Sequence, residues 1–474
     1  MTIQLLVFGA YFIAIFLIGW FSMRATQSEA DYWVADGKLG WLIGGSTMAA
    51  THASAGTFIG TVGVIYTVGW SFAWVLLAIP LAYWFMVAFV APRFTRVKEL
   101  TLPAYLERRY ASRRVRGLGG VIILCATVVY IQAQIVTGGI VSNVVFGISP
   151  ELGMMIFTII LVAYTLFGGM LAIAYTDFLQ LIIMVIGVLV SVPLAVSHFG
   201  GLSAMGSVVQ AVRPTTFEWG GMPAALLITM AMAFFLGGIA TPEKLVRLYA
   251  MKDMRTIRRG VLLTIILVTC INLLVFLLAL AAMALFPLLP NGDLAMPLIA
   301  SHMLPPLVGT LMLSAVMSAV MSTVDSLLLV AGSALAEDIF RNLVFQDASA
   351  RSRLWVARLG ILIVGIIPVI LILAGYSKGE LIQFIVVLYT AIIAAGFVVP
   401  VVGGIYWRRA TEAGAIASML GGVIATGLWK QFGDKSIFPV LPGFVTSLIL
   451  FVVVSLLTRP PDRSAWAPYF EKSS

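Results

Sequence analysis

Charge is what this chain has least of. Charged residues make up 10% of its 474 positions, whereas a soluble domain carries about 25%, so a water-soluble globule is excluded. Cysteine is nearly absent. Cys125 and Cys270 both fall inside apolar runs, which leaves neither a stabilising disulfide nor a metal-binding spacing. The three histidines, His52, His198 and His302, share no spacing that suggests a metal site. No HExxH, nucleophile elbow or phosphate-cradling glycine loop is present, so a membrane enzyme would lack its nucleophile or metal cluster. Long polar stretches are missing too: the longest, Pro92 to Gly117, is too short for a soluble domain. The net charge of +9 would suggest nucleic acid in a soluble protein. Here it reads as the basic loops of a membrane protein, with the lipid bilayer as partner and no nucleic acid.

What is abundant is apolar sequence, 61% of the chain. Runs of about 18 or more apolar residues recur from end to end, each long enough to span a bilayer as a helix. They are continuous rather than alternating with period two, which favours helices over a β-barrel. We place thirteen spans, near residues 2–23, 40–69, 72–91, 119–147, 151–169, 171–198, 223–246, 257–286, 305–338, 355–375, 379–407, 413–431 and 438–458. The first run lacks a basic leader and a small-residue cleavage site, so it is expected to be a retained helix rather than a signal peptide. An N-out, C-in arrangement puts all 29 Lys and Arg except Arg213, Lys378, Lys430 and Lys435 on the cytoplasmic side, as the positive-inside rule requires. The weakest boundary lies near Phe167 to Ala172, where the connecting loop is almost uncharged.

Two segments are not simple spans. AATHASAGTFIG (Ala49 to Gly60) has no large aliphatic side chain before Thr57, and we expect a break at Ala55-Gly56. LGGIATPEKL (Leu236 to Leu245) is interrupted by a glycine pair and Pro242. Discontinuous helices in corresponding places of two halves point to an inverted-repeat transporter, because the freed backbone groups are tolerable only inside protein or beside a wet cavity.

Polar side chains inside the spans narrow the search. Asp177 sits about 9 Å into its span by helical rise. Such a carboxylate costs roughly 2.5–3.5 kcal/mol on insertion scales, which implies a partner, an ion or a proton, unless it reaches the cytoplasmic interface. In SAVMSAVMSTVDSLLL, Ser322, Thr323, Asp325 and Ser326 put four oxygen-bearing side chains within five residues. Such a cluster suits a hard cation, although Ser and Thr in helices also bond back to their own carbonyls or ease close packing. Tyr130, Gln132, Gln134, Gln383 and Tyr389 are softer candidates to line a substrate cavity, the alternative for each being an interhelical hydrogen bond. Arg247, Lys252, Arg255, Arg258 and Arg259 read as a solvated or lipid-phosphate-facing basic run.

These motifs resemble the solute:sodium symporters, over most of the chain. ATHASAGTFIG is similar to that family's first broken core helix, GGMLAIAYTDFLQ to its "GG…A…TD…Q" segment, and TPEKLVRLYAMKDMRTIRRG to its sixth core helix and basic tail. SAVMSAVMSTVDSLLL resembles its "MST…LL" sodium motif, and GIYWRRATEAGAIASMLGG the end of its tenth core helix and the segment after it. The details look closest to the pantothenate branch, with monocarboxylate and proline relatives behind. The resemblance implies an all-α polytopic membrane protein with the LeuT-type inverted-repeat fold, in one transmembrane domain over 1–474. Its repeats would be about 40–198 and about 223–407, with 2–23, 413–431 and 438–458 peripheral. It implies a Na⁺ site from the carbonyls of Ala50, Ala53 and Ala319 and the hydroxyls of Ser322 and Thr323. A second ion site, by the same resemblance, would use Asp177, Asp325 and Ser326. Thr51, His52, Ser54 and Thr57 are then candidates for ion or substrate. Two departures stand out: proline transporters carry aspartate where His52 stands, and the family's "GQP" is Ala240-Thr241-Pro242 here.

The expected function is Na⁺-coupled import of a small organic solute such as pantothenate or a monocarboxylate, by a monomer in a bacterial-type inner membrane. A proton-coupled carrier on the same fold, using Asp177 and His52, stays open, as do amino-acid and sugar substrates. A channel would need a continuous polar pore, and no ring-forming charged repeat is present.

Overall fold

Every apolar run becomes a helix, because only a helix satisfies each backbone amide and carbonyl within its own segment. The computed structural model describes residues 2–25, 29–166, 169–376 and 379–470. Phe167 and Gly168, at the weakest expected boundary, and Lys378 lie outside the described residues. The principal helices are α1 (Thr2–Ala25), α2 (Trp41–His52), α3 (Gly56–Val68), α4 (Trp70–Phe94), α5 (Leu102–Tyr110) and α6 (Arg113–Phe146). They continue as α7 (Pro150–Thr165), α8 (Met170–His198), α9 (Leu202–Val212), α10 (Ala224–Ala240), α11 (Pro242–Ala250) and α12 (Met254–Leu285). The remainder are α13 (Pro306–Val344), α14 (Ala350–Leu373), α15 (Ile382–Tyr406), α16 (Glu412–Phe432), α17 (Val440–Leu457) and α18 (Arg463–Phe470). Among the described residues ten helices are long and apolar enough to cross a bilayer, or eleven if α2 and α3 form one bent span. Shorter apolar stretches, Leu6–Phe21 and Pro150–Ala163, fall where the first and fifth spans were expected. The segments α5, α9 and α18 lie outside every expected span.

Helix starts are chemically marked. Ser112, Ser149, Asp253, Ser349 and Thr411 each accept a hydrogen bond from a backbone amide of the first turn of α6, α7, α12, α14 and α16, relieving donors that have no partner within the helix. Leu6, Ile159, Ile228, Leu262, Leu273 and Leu448 are exposed, which fits an outer surface solvated by lipid. The most enclosed helices are α13 and α15. The core is built by α2, α8 and α13 packing on one another, with α12 against α2 and α15 against α6.

Both expected interruptions are present. The first falls at Ala53-Ser54 rather than Ala55-Gly56, bending the α2–α3 pair by 53°. The second falls at Thr241, whose backbone is extended (ψ 122°), as steric conflict with the ring of Pro242 demands. The two broken pairs are tied together: Leu39, before α2, accepts from Lys252 N and donates to Ala250 O at the end of α11, at 3.3 and 2.9 Å.

Close approach of α2 and α12 rests on facing glycines. A Cβ on Gly45 would lie 2.4 Å from the carbonyl oxygen of Gly260. Gly45→Ala is therefore expected to cost about 1–3 kcal/mol by overpacking, checked as a lower midpoint of thermal unfolding in detergent.

Candidate functional site

The break in the first helix pair explains its composition. Two half-helices meeting inside the membrane leave amides without intrahelical acceptors. Ser54 Oγ accepts from Gly56 N at 3.1 Å, and Ser54 O accepts from Thr57 N at 2.9 Å. Gln134 Oε1 reaches from α6 to accept from Ala55 N at 3.1 Å. Small residues let α6 come near enough for Gln134 to supply this partner.

Beside the break, α2 meets α13. Ser322 Oγ lies 3.0 Å from Ala50 O and 3.1 Å from Ala319 O. Thr323 Oγ1 lies 3.1 Å from Thr51 O and 2.9 Å from Ala319 O. Four of the five oxygens expected for sodium thus converge from two helices, fully buried; Ala53 sits at the end of α2, where its ψ of 87° leaves the helix. Neutral hydroxyl and carbonyl oxygens of this kind are the donors a hard monovalent cation takes.

On the other side of the break is a cavity of about 30 Å³. Thr51, His52, Ser54, Thr57, Tyr130, Gln383 and Tyr389, all expected from sequence, line it. Tyr130 stacks on Tyr389 (centroids 4.6 Å apart) and His52 lies edge-on to Tyr83 at 5.6 Å. Gln132 and Gln134 are not brought to it: both are buried in α6, and Gln134 is spent on the break. The cavity has room for a water or two, so an organic solute enters only as the lining helices move.

Sequence reasoning missed the charge on its wall. Glu243, Lys244, Tyr83 and Asn272 also line the cavity. Glu243 Oε2 accepts from the Tyr389 hydroxyl at 2.8 Å, and Lys244 Nζ rests 5.2 Å from the centre of the Tyr83 ring.

The basic run needs a correction. Lys252, Arg255, Arg258 and Arg259 are exposed as expected, but Arg247 is 1% exposed. Its Nη2 donates to Asp177 Oδ2 at 3.2 Å and to Ser326 Oγ at 2.5 Å, its Nε to Thr47 Oγ1 at 3.1 Å, and its Nη1 to Glu243 O at 2.7 Å. Thr47 Oγ1 also donates to Asp177 Oδ2 at 2.5 Å. The physical reason is the second break: α11 restarts inside the bundle, so its residues are core residues although they adjoin a loop. Asp177 and Ser326 are therefore brought together around a protein cation. Asp325, one residue away, points elsewhere and accepts from Thr165 Oγ1 at 2.7 Å. Among the described residues no group of three His, Cys, Asp or Glu is placed to hold a metal ion.

A helical membrane protein with two interrupted helices, an oxygen cluster at one break and a polar cavity between them is a membrane carrier of the LeuT-type fold. The chain belongs to the sodium:solute symporter family, whose profile matches residues 32–422. It is 29% identical to the osmoregulated proline transporter of Bacillus subtilis (strain 168), over 98% of this chain and 97% of that one. It is also 29% identical to the sodium/pantothenate symporter of Escherichia coli (strain K12), over 94% of each. Identity therefore does not separate the pantothenate branch from proline transporters. In fold it is similar to a Na⁺-coupled sialic acid symporter in a substrate-bound, outward-open state, with a TM-score of 0.84 at 20% identity, covering 97% of this chain and 99% of that one. The protein is a multi-pass integral protein of a bacterial-type inner membrane, and its family supports sodium-coupled solute import.

Proposed function

We propose that this protein imports a small organic solute, pantothenate, a monocarboxylate or a related compound, by Na⁺ symport with alternating access. The observation that carries this is the convergence of the Ser322 and Thr323 hydroxyls on the Ala50 and Ala319 carbonyls, next to the break that lines the cavity. Sodium takes those oxygens together with Ala53 O. Thr51 belongs to both places: it lines the cavity and its carbonyl accepts from Thr323. Ion and solute therefore act on the same residues. Sodium between α2 and α13 holds the bundle in the form that admits the solute, and the loaded cavity allows closure. The coupling is large enough, since one charge moving through 100 mV releases about 2.3 kcal/mol, more than a tenfold accumulation.

The architecture proposed is thirteen spans, N-out and C-in, with 40–198 and 223–407 as inverted repeats and a monomer as the working unit. The second ion set is reassigned: Arg247 supplies the positive charge that Asp177 and Ser326 face, and Asp325 belongs to the contact with α7.

The test is uptake into proteoliposomes under imposed gradients. Ser322→Ala and Thr323→Ala should each raise the Na⁺ concentration for half-maximal uptake about tenfold, the scale of one bond to a charged group. Unchanged sodium dependence, or uptake driven by a pH gradient without sodium, overturns the proposal.

A further inference from the structure

Lys244 is a buried cation that makes no ion pair among the described residues. It is 7% exposed and lines the cavity. Among the described residues its ammonium has neither an ion pair nor a hydrogen-bond acceptor; its contact is the face of Tyr83. Its neighbour Glu243 is turned to the hydroxyl of Tyr389 instead, and the other buried cation of α11, Arg247, is fully engaged by Asp177, Ser326, Thr47 and the Glu243 carbonyl. An ammonium is a compact, strongly hydrated charge with three donors. Removing it from water is costly unless an anion meets it, and a single cation–π contact replaces only part of that hydration.

We infer that Lys244 is the specificity-determining residue of the cavity and that the transported solute carries a carboxylate which its ammonium binds. This rests on the proposed symport and names its substrate class. A carboxylate fits better than a phosphate: one ammonium, rather than a cluster of guanidiniums or a glycine loop, faces the cavity, and the space is narrow. The aromatic rings of Tyr83, Tyr130, Tyr389 and Phe234 line the remainder and would pack the uncharged body of the solute.

The position also gives Lys244 a part in coupling. Its charge lines the same cavity as Thr51, whose carbonyl meets Thr323 beside the oxygen cluster, so an ammonium without an ion pair disfavours a nearby Na⁺. A carboxylate that neutralises it removes that repulsion, and by reciprocity Na⁺ strengthens carboxylate binding by the same factor.

The experiment uses the full-length protein in detergent and reads the thermal unfolding midpoint against Na⁺ and solute. Lactate, L-proline and pantothenate are compared with lactamide, L-prolinamide and pantothenol, which keep the shape and lose the carboxylate. The expected result is that at least one carboxylate, and not its neutral partner, raises the midpoint, and does so at lower concentration when Na⁺ is present. K244Q and K244M should then weaken that carboxylate about thirtyfold or more, the effect of removing one partner of a buried charge pair, while shifting the response to Na⁺ alone to lower Na⁺ concentration, because the repelling charge is gone. If no carboxylate binds the wild type, if the neutral partners bind as well, or if both variants keep carboxylate affinity within about twofold, the assignment is wrong. A wild type that answers to a carboxylate but not to Na⁺ sinks the proposed coupling and leaves Lys244 as the carboxylate residue.

Discussion

Arg247→Met should be among the most damaging single changes in this chain. The guanidinium joins three other helices: α2 through Thr47, α8 through Asp177 and α13 through Ser326. Removing it leaves Asp177, itself 0% exposed, without its countercharge. Breaking a buried pair by deleting one member costs about 3–5 kcal/mol, because the partner stays buried and uncompensated. Asp177 Oδ1 already has no hydrogen-bond partner, so the environment has little in reserve to absorb the charge. The expected result is a strongly lowered unfolding midpoint and loss of uptake. Asp177→Asn in the same chain should recover most of the stability, since it removes the orphaned charge while keeping a group that accepts from Thr47. It should not recover transport if the pair positions α11 beside the sodium oxygens. Arg247→Lys should behave more like the methionine variant than charge alone suggests, because an ammonium cannot reproduce a planar fork that serves Asp177, Ser326, Thr47 and the Glu243 carbonyl at once. A double-mutant cycle on Arg247 and Asp177 measures the coupling directly; a coupling near zero would refute the pairing as the source of the damage.

That pair also marks where the sequence stopped being legible. The helices were readable because lipid imposes a simple constraint, long apolar runs, and because breaks require glycine, proline or small polar residues. The oxygen cluster was readable because Ser322 and Thr323 are adjacent within an apolar helix. Arg247 and Lys244 were not: Arg247 reads as the beginning of the run that continues from Lys252 to Arg259, and Lys244 stands just before it with no feature of its own. Only the restart of a helix at Pro242 moves them into the bundle. The available signal was Asp177: a carboxylate deep in a span demands a countercharge, and the second break was the one place where basic residues stood beside a discontinuity. Which base answered which acid depends on how α8 and α11 face each other, and no periodicity carries that. Gln134 failed for a related reason. Its spacing puts it near the cavity, but the Ala55 amide it satisfies becomes unpaired only because the break falls at Ala53-Ser54.

Asp338→Ala should loosen one end of the bundle without unfolding the rest. Asp338 is 0% exposed near the end of α13, where Ala334–Val344 winds as a π-helix. Its Oδ1 accepts from Thr101 Oγ1 at 2.7 Å and from Arg116 Nε at 2.8 Å. Thr101 caps α5 and Arg116 belongs to the first turn of α6, so one carboxylate holds three helix ends together. The adjacent Glu337 extends the fastening to α14 through Arg353 at 3.2 Å. Under the proposed topology this end is cytoplasmic, and import requires it to part so that ion and solute can leave. Arg116 keeps Glu107 at 2.9 Å after the substitution, which puts the cost at the low end for a broken buried pair, about 3 kcal/mol. Expressed as local opening, that is on the order of a hundredfold. Amide hydrogen exchange should accelerate by that order in Leu102–Tyr110 and Ala334–Val344 and stay unchanged in Val440–Leu457, which shares none of these bonds. Asp338→Asn should fall between wild type and alanine, because its amide oxygen still accepts from Thr101 while the charge is gone. Exchange that rises uniformly along the chain would mean that Asp338 supports the whole fold, and exchange that does not rise at all would mean that these bonds fasten nothing.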